Sequence, residues 1–155
     1  MKLITAFASA IFLLAACTAK NNTEASAISL SITGTWQLVS GTTIEKGDTS
    51  VTDYTQKLSF IKIINSTHFA FLKHDLNKGK DSANAAFGAG GGSYTLADSS
   101  YTEYLEYCSD RQWEGNDFTF TVTIKQDTLI QSGVEKVESA GVNRVNIEKY
   151  VRIKK

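Results

Sequence analysis

Few residues in this chain could do chemistry: two histidines, two cysteines, and carboxylates scattered over strand-like stretches. His68 and His74 are the only histidines, and they share strand parity. Metal sites gather His, Cys and carboxylate ligands at tight spacing. Neither histidine has that company, so no metal site is predicted. Asp75-Leu76-Asn77-Lys78-Gly79-Lys80-Asp81 has the acids of a calcium loop. Its glycine stands at the wrong offset, and no closing glutamate follows. Gly88-Ala89-Gly90-Gly91-Gly92 has glycines enough for a phosphate cradle, but no lysine or helix start comes after it. No serine sits in a nucleophile elbow or pairs with a histidine, so neither catalysis nor a cofactor is predicted.

His68 and Glu103 are the more telling polar pair. Both lie mid-strand, beside Phe69, Phe71, Tyr101 and Tyr104. Pointing inward, they would be the few polar groups that orient a ligand in an aromatic cavity. The candidate ligand-binding set is then His68, Glu103, Tyr94, Tyr101, Phe69 and Phe71. Charged strand residues ordinarily face solvent, and that placement stands beside the inward one.

The cysteines divide by position. Met1-Lys2 is a minimal positive n-region, and residues 3–16 form an apolar run too short to span a bilayer. The run ends in Leu14-Ala15-Ala16-Cys17, which resembles a bacterial lipobox. That resemblance implies cleavage before Cys17, acylation of its sulfur and new amino group, and palmitate-type anchoring. Two or three acyl chains hold firmly, at about 0.8 kcal/mol per buried methylene. Thr18 stands where an aspartate would imply inner-membrane retention, so an outer-membrane address is expected. Cys108 is then alone, and an exported chain with one spare thiol has no internal disulfide. Glu103, Glu106 and Asp110 lie near it, and acids do not activate a thiol. Cys108 reads as a small strand residue.

Composition sets the frame. In 155 residues, 42% hydrophobic and 21% charged is the balance of one folded domain. Sixteen basic and sixteen acidic side chains leave no electrostatic footprint for nucleic acid. Proline is absent, which suits strands whose N–H groups all feed a ladder.

The elements that must position these residues are strands. Three regions are predicted: a signal peptide over 1–16, the lipidated cysteine and a flexible Ala/Ser/Thr/Asn tether over 17–32, and the folded domain over 33–155. Strands are expected at 33–44, 57–65, 67–73, 85–96, 101–108, 118–125, 128–134 and 145–153. Phe118, Phe120, Val122 and Ile124, interleaved with Thr119, Thr121, Thr123 and Lys125, give the clearest period of two. Residues 45–55 read as a polar loop over one mouth or a short helical turn, and 135–143 as a polar turn. Glycines 90–92 remove side-chain volume and predict space inside one wall. No segment keeps a helical period. The whole reads as an all-β, up-and-down antiparallel barrel of about eight to ten strands.

Gly34-Thr35-Trp36, opening the first strand, resembles the start of lipocalin-type barrels. Together with Gly90-Gly91-Gly92-Ser93-Tyr94, Tyr101-Thr102-Glu103 and Ile147-Glu148-Lys149-Tyr150-Val151-Arg152, it resembles a family of small lipocalin-like exported lipoproteins. These are mostly from Bacteroidetes and carry a domain of unknown function. The resemblance covers residues 33–153 and implies a calycin-type barrel with no established substrate. It also implies structural roles for Gly34, Trp36 and Arg152, with the arginine laid across the indole. Parity conflicts with that last role, because Val145, Ile147, Val151 and Ile153 oppose Arg152 along its strand.

Two functions remain. One is a lipid-anchored protein of the cell envelope, on the periplasmic or surface face, whose barrel binds a small, largely apolar ligand without catalysis. The other is an envelope protein-interaction module with a filled barrel.

Overall fold

The computed structural model describes residues 31–154. The predicted leader, the predicted lipidation site Cys17 and most of the predicted tether lie outside the described residues. Strand content is 67% and helical content 5%, so the alternating patterns do become an all-β fold.

Nine strands follow in order: β1 (Gly34–Glu45), β2 (Asp48–Asp53), β3 (Leu58–Ile64), β4 (His68–Asp75), β5 (Phe87–Ala97), β6 (Ser100–Cys108), β7 (Asp117–Lys125), β8 (Thr128–Val137) and β9 (Val142–Arg152). They lie antiparallel in the order β2-β1-β3-β4-β5-β6-β7-β8-β9, and β9 pairs back onto β1. Eight strands thus close an up-and-down barrel of lipocalin-like architecture, and β2 is the extra one.

Two stretches differ from the sequence reading. Residues 45–55 form a hairpin: Lys46 (φ 52°) and Gly47 (φ 91°) make a two-residue turn that sets Glu45 opposite Asp48. All six residues of β2 are exposed, so it has no apolar face for a pattern to reveal. The polar stretch 135–143 is mostly strand, joined by one 3-10 turn over Glu138–Ala140. Its Glu135 turns into the barrel and accepts hydrogen bonds from Arg144 and Asn146 of β9 rather than marking a turn.

One end of the barrel is packed shut. Trp36, Leu38, Tyr101, Val122, Leu129 and Tyr150 are all at most 1% exposed. Phe118, Phe120 and Val122 point inward, as their period of two requires.

Glycines 90–92 do a different job from the one predicted. Gly90 faces the lumen opposite Phe71, and a Cβ there would strike the Phe71 ring. Cβ atoms on Gly91 and Gly92 would strike the carbonyl oxygens of Phe69 and Tyr104. Their missing side chains let backbones and one ring approach closely at a bulge between Gly91 and Gly92. The volume they leave is occupied by Phe71 and by neighbouring strands.

The wall has one irregular seam. β1 pairs with β3 only over residues 34–37, then pairs with β2 from Ser40 onward. Beside the upper half of β3, side chains bridge the gap. Gln37 Nε2 donates to the Phe60 carbonyl at 3.0 Å. The Tyr54 ring meets Phe60 edge-on at 5.9 Å and lies over Gly41, whose Cβ would come within 3.2 Å of it.

Candidate functional site

Trp36 and Arg152 build the closed end. Trp36 Nε1 donates to the Ile32 carbonyl at 2.8 Å. The Arg152 guanidinium stands 3.9 Å from the indole centroid and donates to the carbonyls of Thr33 (2.7 Å) and Ser31 (2.9 Å). Gly34 (φ 146°) lies directly against it, and a Cβ there would strike the guanidinium. The parity conflict on β9 is resolved outward: Val151 and Ile153 are 38% and 46% exposed, while Asn146 and Tyr150 are buried in the lumen. Aliphatic residues face solvent here because the barrel interior is partly polar.

A buried charge cluster lies above this plug. Lys62 Nζ donates to Glu103 Oε1 at 2.6 Å and to Gln131 Oε1 at 3.1 Å. The three residues are 2%, 6% and 1% exposed. The ammonium also stands 5.4 Å from the Tyr150 ring centroid and 5.6 Å from that of Phe69. Burial pushes the Glu103 carboxyl up, and the Lys62 charge pulls it back down. The Tyr101 hydroxyl is buried with no hydrogen-bond partner among the described residues.

From this floor a cavity of about 340 Å³ rises toward the opposite end. Phe60, Phe71, Leu105, Phe118 and Phe120 wall it, and Phe60 stacks on Phe71 at 5.6 Å. Its upper wall is polar. Arg144 donates through Nε and Nη2 to Glu135 Oε2 at 2.8 and 2.7 Å, and lies 5.5 Å from the Trp113 ring. Asn146 donates to the other Glu135 oxygen at 2.7 Å. The Tyr150 hydroxyl donates to Glu148 Oε2 at 2.7 Å. The cavity reaches solvent beside Phe87 and Asp110. A larger hollow of about 560 Å³ lies on the outside of the wall, over Ala70, Ala89 and Gly91. It is a shallow surface depression, so the lumen is the better candidate site.

Of the residues expected to bind ligand, the structure brings Glu103 and Phe71 to the cavity. Phe69, Tyr94 and Tyr101 also turn inward but pack lower down. Tyr101 is wholly buried beside Tyr94, whose hydroxyl donates to the Asn65 carbonyl. His68 is a correction. It is exposed on the outer wall, its Nδ1 2.8 Å from Thr67 Oγ1. Phe69 and Phe71 take the inward parity of β4, which forces His68 outward and parts it from Glu103.

Lys62, Gln131, Glu135, Arg144, Asn146 and Glu148 escaped the sequence reading. The available signal was parity: Lys62 shares it with Phe60 and Ile64, and Gln131 with Leu129. Cys108 is half-buried in the upper wall, its N–H donating to Glu114 at 2.9 Å. Among the described residues, no three His, Cys, Asp or Glu side chains gather as a metal-ion site. No protein-family model matches the chain, and no curated protein matches it significantly.

Proposed function

We propose that this protein is an exported, lipid-anchored binding protein that holds one small molecule in the upper half of its barrel. The observation that supports this reading is the cavity of about 340 Å³, closed below by the Trp36 plug and reaching solvent above. It falls at the lower end of the roughly 300–1,000 Å³ typical of ligand pockets. Its aromatic walls favour a ligand with an apolar body, and its inward polar groups fix orientation. The test is an environment-sensitive apolar dye added to the full chain. One-to-one binding that Cys108→Trp abolishes supports the reading. Binding no better than to an unrelated folded β-protein overturns it.

Anchoring rests on Leu14-Ala15-Ala16-Cys17. Wild-type protein should incorporate labelled fatty acid and partition with membranes, and Cys17→Ser should release it. A membrane-bound mutant with an unlabelled wild type would remove the lipid anchor from the proposal.

One observation favours the interaction module as a second reading. Ile63, Leu72, Val151 and Ile153 are each 38–46% exposed on the outer wall. An apolar outer face suits a protein partner. Loss of partner capture on Ile63→Lys/Leu72→Lys, with dye binding unchanged, would separate the two.

A further inference from the structure

The charges around the cavity do not balance once their partners are assigned. Seven charged side chains line it: Lys62, Lys73 and Arg144 against Glu103, Asp110, Glu135 and Glu148. Lys73 and Asp110 stand at the rim and oppose each other in sign. Deeper in, both cations are committed. Lys62 spends two of its three N–H groups on Glu103 and Gln131. Arg144 turns Nε and Nη2 to Glu135, whose second oxygen is taken by Asn146. Glu148 has no cation among the described residues. Its one donor among the described residues is the neutral Tyr150 hydroxyl, which leaves Oε1 open.

The walls around this carboxylate are rings. Phe60 lies at the centre, stacked on Phe71 and met edge-on by Tyr54 and Tyr150 at 5.9 and 6.5 Å. Aromatic faces carry negative potential and attract cations. The same principle operates lower down, where the Lys62 ammonium sits among Phe69, Tyr101 and Tyr150. An anionic ligand would face Glu103, Glu135 and Glu148 in the same space, with one Lys62 N–H left to meet it.

We propose that the lumen takes a protonated amine carried on a compact apolar body, with Glu148 as its counter-ion and the Phe60, Phe71 and Tyr54 rings around its alkyl or aryl part. This proposal rests on the cavity-binding reading above and assigns the class of ligand. Glu148 serves as a charge-assisted acceptor, and ring faces exclude water around the pair.

The test is calorimetric titration of the full chain with three probes that share one body: 2-phenylethylamine, 2-phenylethanol and phenylacetate. The amine should bind roughly tenfold or more tightly than the alcohol, the return for a hydrogen bond to a charged group, and phenylacetate should bind weakest. Glu148→Gln should weaken amine binding more than alcohol binding and so shrink that advantage. The wild-type series decides the matter even if the variant folds poorly. Alcohol or phenylacetate binding as tightly as the amine overturns the ligand class and leaves the cavity reading standing. So does dye binding with no response to any of the three. Failure of the dye and all three probes overturns both.

Discussion

The Arg152 guanidinium and the Trp36 indole, 3.9 Å apart, join the last strand of the barrel to the first. The same guanidinium donates to two carbonyls of the incoming chain, so one side chain ties both termini of the domain together. Arg152→Ala should lower unfolding free energy by about 1–3 kcal/mol, from the lost cation–π contact and charged hydrogen bonds. Arg152→Lys should restore less than half, because a lysine cannot fork to two acceptors. Urea unfolding followed by Trp36 fluorescence measures both. An alanine variant within ~0.5 kcal/mol of wild type would show that the stack contributes no net stability.

The Lys62–Glu103 pair gives a prediction of the opposite kind. Removing Lys62 leaves the Glu103 carboxyl, 6% exposed, without its cation. Lys62→Met should therefore cost about 3–5 kcal/mol. The double variant Lys62→Met/Glu103→Leu should cost less than Lys62→Met alone, since no unpaired ion remains. If the two single costs simply add, the pair is not coupled and the floor is not held by mutual charge.

Tyr101 and Tyr150 should refuse to ionise in the folded protein. Burial pushes both phenols above their ordinary value of 10.0, and Glu103 or Glu148 beside them adds to the shift. A group whose folded pKa is raised contributes stability that is complete below the unfolded value and lost as pH rises toward the folded one. Stability should thus hold up to about pH 10 and fall above it. In a spectrophotometric titration these two phenols should ionise only as the barrel unfolds. Reversible ionisation of all six tyrosines with circular dichroism unchanged would contradict their burial.

Gly90→Ala should destabilise by about 1–3 kcal/mol through overpacking. The new methyl group would meet the Phe71 ring and come within 2.8 Å of the Tyr107 carbonyl oxygen. Adding Phe71→Leu should relieve only part of the cost, because the carbonyl contact stays. Thermal unfolding of the two singles and the double would show it. Full rescue by Phe71→Leu would mean that the ring alone excludes a side chain at residue 90.

How much of this was legible in the sequence depended on whether polarity faced out. On β7 it did, and Phe118, Phe120, Val122 and Ile124 revealed their inward side at once. The Trp36–Arg152 placement was legible too, though only through resemblance, since the aliphatic residues of β9 argued against it. The lumen was not legible. Lys62 shares the parity of Phe60 and Ile64, but its neighbours Ile61 and Ile63 are as apolar, and Glu148 stands beside Ile147, so alternation alone does not single out the inner face of a barrel that is polar inside and apolar outside. Period two tells that a strand has two faces; it does not tell which one is in. His68 failed for a related reason, since its neighbours Phe69 and Phe71 already claimed the interior. β2 stayed hidden because a strand exposed on both faces has no pattern to read.

The departure of β1 from β3 after Gln37 gives the barrel's breathing a direction. Along most of the wall, parting two strands breaks a run of backbone hydrogen bonds. Beside the upper half of β3, it breaks the Tyr54–Phe60 edge contact and the Gln37–Phe60 hydrogen bond. Fluctuations of the wall should therefore concentrate at that seam. A molecule lodged against Phe60 would then have a side door there, with Tyr54 as its latch, as well as the mouth beside Phe87.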